Sequence, residues 1–365
     1  VPRAYPEVME HRWMRWAPAV VVPAAIAAAV IVAPLAAGAS DLPVKSPADV
    51  LRLVAASDTR SFSGTVEQTS DLGLPDLPVT TSKGSDGGAA DLLELALADH
   101  TAKVWVDGPG KVRVQVLDRL AERDAIRNGS DLWLYQSSGK KVLHATVPAD
   151  DEKTPAPDAT SLTPSQLAQR FLDAVDPSTS VTLGADTSVA GRDAYDLVLK
   201  PKAATTLIGS VSIAVDGKTG IPLKVAVTAR GASSPAFEAG FTAFSDQRPD
   251  GSVFSFTPPK GASVTEQALP KADAAEKGAH EHPKPTVTGT GWATIVALPA
   301  GSAPSSVADD PLFAQLTQPV DGGRALSSSV VSVLVTADGR VLAGSVPVSA
   351  LQAAAAQPAP QASGR

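Results

Sequence analysis

The chain has 365 residues, a net charge of −7 and no cysteine. Without Cys there is no disulfide, no thiol catalysis, no Cys-ligated metal and no lipidated N-terminal Cys, and an acidic chain without a long basic run is a poor partner for nucleic acid. Hydrophobic residues make up 44% but aromatic ones only 4%, so the core must rest on Val, Leu, Ile and Ala.

The first expectation in chain order is an export signal. Arg12 and Arg15 precede an uncharged stretch from Trp16 to Ser40, whose centre is Val, Ala and Ile with Pro23 and Pro34. The stretch leaves through Ala37-Gly38-Ala39. A basic start, an apolar middle and a small-residue exit make a secretory signal. The run also reaches the roughly 20 residues needed to span a bilayer, so a retained membrane anchor is the alternative. On either reading the rest of the chain works outside the cytoplasm, free or anchored by residues 16–40.

Ser46-Pro47-Ala48-Asp49 opens a helix, with Ser as cap, Pro at the first turn and an acid at the positive end of the dipole. Val50, Leu51, Leu53 and Val54 form its apolar stripe. Phe62 to Thr69 alternates and reads as a strand. Residues 70–91 are a Gly, Ser, Asp and Pro loop, followed by a short apolar piece at 92–98. Strands then crowd together: Lys103 to Asp107, Val112 to Val116, Asp131 to Tyr135 and Val142 to Val147. Asn128-Gly129 between two of them is a strong hairpin signal.

Thr163-Pro164-Ser165-Gln166 is a capping box that opens a second helix, with Leu167, Phe171, Leu172 and Val175 on one face. A second meander follows: 181–183, 194–200, 211–215, 221–228, 237–244 and 253–256. A five-residue turn at 216–220 pairs Val215 with Ile221, Ile213 with Leu223 and Val211 with Val225, which puts the apolar residues on one face. Residues 261–290 lack any period and read as a linker. Beyond them come a strand at 292–298, a short helix at 310–316, a hairpin at 330–346 and a tail at 350–365 expected to be disordered.

The candidates for chemistry are weak. His280-Glu281-His282 lies in a Pro- and Ala-rich stretch with nothing to orient the rings for a metal. No G-x-S-x-G elbow occurs. Asp216-Gly217-Lys218-Thr219-Gly220 lacks the phosphate-loop spacing and joins two strands. The expectation is a protein without catalytic residues, metal or cofactor.

The order helix, meander, helix, meander resembles the LolA, RseB and LppX-like extracytoplasmic proteins. The resemblance is carried by Phe62-Ser63-Gly64-Thr65-Val66, by Val104-Trp105-Val106-Asp107-Gly108-Pro109, by Ile126 to Trp133 and by Asp216 to Leu223. These segments, with Val331 to Gly344, look like the actinobacterial LolA-like branch. The resemblance implies an α+β fold: a strongly curved antiparallel β half-barrel with helices over its concave face, plus a small C-terminal β-hairpin segment. It further implies 1–39 as signal peptide or anchor, 40–260 as the half-barrel domain, 261–290 as linker, 291–349 as C-terminal segment and 350–365 as tail. It also implies partners, either the acyl chains of a lipid or lipoprotein or a membrane protein. The missing lipobox Cys departs from the LppX-like pattern.

The candidate ligand surface follows from alternation. Trp105, Trp133 and Tyr135 alternate with Val104, Val106, Leu132 and Leu134, so these strands are apolar on both faces, unlike a one-sided antiparallel sheet. Either protein covers both faces, or one face lines a cavity for acyl chains. Phe62 and Val66 extend the surface from the first strand, and Val211, Ile213, Leu223 and Val225 from the second meander. Leu53 and Phe171 would face it from the two helices, 46–56 and 163–175, lying together as a lid. The sequence leaves open which face is concave.

Overall fold

A computed structural model of the protein describes residues 42–74, 99–117, 122–146, 177–268, 285–302 and 311–357. The expected signal or anchor at 1–39, the apolar piece at 92–98 and the expected helix at 163–175, with Phe171, lie outside them. Within them the chain is mostly β, built as one large open sheet and one smaller sheet.

The large sheet holds thirteen strands among the described residues. A first meander comprises β1 (Ser61–Ser70), β2 (His100–Asp107), β3 (Lys111–Leu117), β4 (Glu122–Asn128), β5 (Asp131–Gln136) and β6 (Lys141–Thr146). A second comprises β7 (Thr179–Leu183), β8 (Thr187–Val189), β9 (Arg192–Pro201), β10 (Ile208–Asp216), β11 (Pro222–Ala229) and β12 (Pro235–Ser245). The two halves join where β1 pairs antiparallel with β12. The joint needs Gly64: a Cβ there would stand 2.4 Å from the Phe241 ring, which lies over it. The Asn128-Gly129 turn is tight as expected, with Gly129 at φ 63°.

Helix α1 (Pro47–Ala55) starts at Ser46 with both arms of a capping box, and Pro47 stands in its first turn. Val50 and Val54 are buried against Tyr195, Leu197, Leu199, Val211 and Ile213. Burying such side chains is worth about 1.5–3 kcal/mol each, which is what holds a nine-residue helix too short to persist alone. Gln68 pairs with Ala239 and Ser70 with Phe237, and both partners belong to the cluster under α1. The face of β1 that carries Phe62, Val66 and Gln68 is therefore the α1 face of the sheet.

Four local expectations are corrected. The β10–β11 register is Val215 with Pro222, Ile213 with Val225 and Val211 with Val227, with an irregularity between Ala214 and Val215. At Ile213 and Val211 the slip is two residues and keeps the side chains on their expected face, while at Val215 it is one, taken up at the irregularity. The turn winds on Asp216, whose carboxylate accepts the Thr219 N–H at 2.7 Å and Arg192 at 2.7 and 2.8 Å. Residues 251–254 form a 3-10 turn, not a strand, because Asp250 caps it at the Ser252 N–H. Within the expected linker, β13 (Ser263–Ala268) adds to the sheet as a parallel partner of β6.

The smaller sheet contains β14 (Thr286–Thr288), β15 (Ile295–Leu298), β16 (Gln318–Val320), β17 (Gly323–Ser327), β18 (Ser332–Thr336) and β19 (Val341–Gly344), ordered β14-β15-β19-β18-β17-β16. Helix α2 (Pro311–Leu316) precedes β16. The fourth correction is that helix α3 (Val348–Ala355) occupies part of the expected disordered tail. Its Ala, Leu and Gln are good helix formers, and its Leu351 is fully buried with Leu334 and Leu342.

Candidate functional site

Pairing from β1 to β6 shows no register shift, so the two faces of this half can be read residue by residue. One face carries Trp105, Ile126, Trp133, Tyr135, Val142 and His144. The other carries Phe62, Val66, Val104, Val106, Leu132 and Leu134. The structure thus splits the candidate surface into a tryptophan face and a valine face.

The chain itself covers the tryptophan face. After β12, Phe254 is buried at 1% exposure, and the Phe256 ring stands 5.5 Å from Trp133 and 5.8 Å from Tyr135. Arg113 donates to the Val253 carbonyl at 2.9 Å and holds Asp124 through two bonds, with its guanidinium 5.8 Å from the Trp105 ring. Burial pushes the Asp124 carboxyl up and outweighs the opposing Arg113 bond. Arg248 closes the same segment onto Asp107, whose carboxyl it holds below the usual range. Further along, His144 stacks on Trp133 at 3.7 Å, between Asp131 at 3.0 Å and Glu266 at 2.7 Å.

The valine face is organised in rows across the strands. The middle row is Gly64, Val104, Val114, Ala125, Leu134 and Leu143. From Val104 to Leu143 it is apolar over four inter-strand steps, roughly 19 Å at about 4.8 Å each. These side chains are only partly buried, and Leu134 is 41% exposed. At the β1 end, Phe62, Phe241 and Phe244 close on one another. A neighbouring row runs Phe62, Val106, Val112, Arg127, Leu132 and Ala145.

The candidates therefore have different surroundings. Val211, Ile213 and Val225 are sealed in the cluster that α1 covers, and Leu53 packs partly buried at its edge. Leu223, Phe62, Val66 and Val106 are buried together in the neighbouring cluster. Val104, Leu132 and Leu134 keep exposed surface. Trp105, Trp133 and Tyr135 face the other way. The sequence reading passed over Val114, Ala125, Leu143 and Arg127; the signal was the period-two run Arg123, Ala125, Arg127 opposite three valines.

A surface cleft of about 310 Å³ lies elsewhere, between the β11–β12 turn and Ser329, and no candidate residue lines it. Among the described residues no helix is long and apolar enough to cross a membrane.

No protein-family model and no curated protein matches the sequence. Among solved structures the chain is similar to MucB in the MucA/MucB complex of Pseudomonas aeruginosa: 17% identity, 84% of this chain and 96% of the other, TM-score 0.41. It is similar to the LolA superfamily protein NE2245 of Nitrosomonas europaea at 12% identity, covering 58% of this chain and 99% of the other, TM-score 0.23. A putative outer membrane lipoprotein-sorting protein domain from Vibrio parahaemolyticus matches at 10% identity, 81% and 87% coverage and TM-score 0.20.

Proposed function

We propose that this is an extracytoplasmic, non-enzymatic carrier of the cell envelope that holds the acyl chains of a lipid or lipoprotein on the valine face. In this reading the first meander supplies the ligand surface, and α1 closes the second-meander end of the same face. One observation carries it. The tryptophan face of the first meander carries Arg113, Asp124 and His144 among its rings and is covered by the chain's own residues 250–257, whereas the middle row of the valine face is aliphatic and keeps exposed surface. A row of aliphatic side chains with few polar groups suits an acyl chain.

The test is native mass spectrometry of the protein after incubation with a membrane lipid extract. The expected result is a bound lipid that Leu134→Asp removes and that Lys103→Glu, on the opposite face, retains. A wild-type chain that stays lipid-free would sink the proposal.

A second reading is a membrane-tethered regulatory protein of RseB type that acts by protein–protein contact. It is favoured by the smaller sheet, whose face away from α3 carries Val287, Val296, Ala343, Val333 and Leu326 in register, with Val287 64% exposed. A lipid-free chain retained in the membrane with Arg15 intact would favour it.

A further inference from the structure

We propose that the valine face selects an anionic amphiphile, a lipid whose negatively charged head group is bound by Arg127 while its chain lies along the middle row. This rests on the lipid reading above and adds the chemistry of the head group. Arg127 stands on β4 between Val112 and Leu132, one residue before the Asn128-Gly129 turn. That turn is pinned by the Gly129 N–H bonding the Gly110 carbonyl at 2.7 Å, so Arg127 is held at the rim of the sheet.

A guanidinium within an apolar row needs an anion. Arg113, on the other face of the neighbouring strand, has one in Asp124, at 2.5 Å. Arg127 has none among the described residues: its bond is from Nε to the carbonyl of Gly129 in its own turn, at 3.3 Å. A guanidinium carries five N–H donors in a fork that matches carboxylate and phosphate oxygens, so both Nη groups remain for a ligand. The chain as a whole is acidic, at −7, so attraction to an anion here is local to this row.

The geometry suits one molecule with two ends. Leu134 pairs with Ala125, two residues from Arg127 on the same face. A chain entering past Leu134 would run inward over Ala125, Val114 and Val104 toward Gly64. Its head group would stay at the rim, where water completes the solvation that Arg127 begins. An uncharged lipid would fill the row equally well and leave the guanidinium with water alone.

The experiment measures binding of short-chain phosphatidylglycerol and of the uncharged diacylglycerol with identical acyl chains, below the concentrations at which they aggregate, to the full chain. The wild type is expected to prefer phosphatidylglycerol by about tenfold, the size of a charge-assisted hydrogen bond. Arg127→Gln should abolish the preference and leave diacylglycerol binding unchanged, and Arg127→Lys should keep part of it. A circular dichroism melt checks that each variant folds. Equal binding of both lipids by the wild type, or a preference that survives in Arg127→Gln, overturns the head-group assignment while leaving the lipid reading intact. Failure of the wild type to bind either lipid overturns both.

Discussion

Both ring nitrogens of His144 face a carboxylate oxygen, and a carboxylate accepts but does not donate. Only the doubly protonated imidazolium can make both bonds. Its pKa is accordingly raised above the ordinary 6.5, chiefly by the bond to Asp131, with burial opposing and Glu266 adding to the rise. A pKa raised on folding means stability that is complete below the ordinary value and fades as pH rises through the folded one. Glu266 lies on β13, which among the described residues pairs only with β6, so this edge strand should feel the change. The expected outcome is faster amide exchange of residues 263–268 at about pH 8 than at about pH 5.5, after correction for intrinsic rates, and no such difference in His144→Gln. Equal protection at both pH values in the wild type would remove the latch. The effect should be modest, because the Glu266 and Asp131 side chains are 70% and 50% exposed and such pairs are screened. None of this was legible in the sequence: Glu266 is 122 residues from His144, in a span whose composition reads as linker.

Elements were legible where their causes are local. Ser46, Pro47 and Asp49 announce α1 within four residues, and the cap they predict is present. Replacing Ser46 with Ala should cost about 1 kcal/mol in denaturant unfolding. The deeper anchor is Val50, fully buried, whereas the Arg52 side chain is 76% exposed. Val50→Asp should abolish the cooperative transition and Arg52→Gln should move it little. If Val50→Asp unfolds like the wild type, α1 does not pack as described. Legibility ended where the cause lies across the sheet. Two registers of β10 on β11 that differ by two residues put the same side chains on the same face, so periodicity alone could not choose between them. Residues 263–267 are mostly polar and exposed; backbone pairing makes them a strand, and composition does not record it. α3 was hidden by the Ala, Pro and Gln content of its surroundings, though Leu351 supplied its buried contact.

At the scale of the molecule, the smaller sheet is tied to the larger one. The Ser345 carbonyl accepts from Thr206 Oγ1 and the Leu207 N–H, both at 2.8 Å. Trp292 Nε1 donates to Thr179 Oγ1 at 2.8 Å, and the Ser329 N–H to the Leu72 carbonyl at 2.9 Å. Val330, 7% exposed, packs into the same cluster as Val50 and Val54. Two sheets sharing a core should unfold together. Thermal unfolding followed by far-UV circular dichroism and by tryptophan fluorescence should give one coincident transition, and Val330→Asp should lower it by both probes. Two separate transitions in the wild type would show the sheets to be independent. The sequence reading placed a linker between these parts and missed the dependence, since each tie joins residues far apart in the chain.

The position of β1 has a consequence in time. It lies inside the sheet, between β2 and β12, and Thr65 contacts Thr242, 177 residues further on. β1 leaves the ribosome long before β12 and cannot be completed until β12 has followed it. The neighbouring hairpins from β2 to β6 close over short loops and can form early, but Phe62 and Val66 must wait beside them with one edge unsatisfied. Such long-range pairing is slow, because loop closure is costly before any contact rewards it. During that interval the β1 edge is open to strands of other molecules. A pause in synthesis between β1 and β12 should therefore favour aggregates built through β1, which size-exclusion chromatography of the released chains would detect.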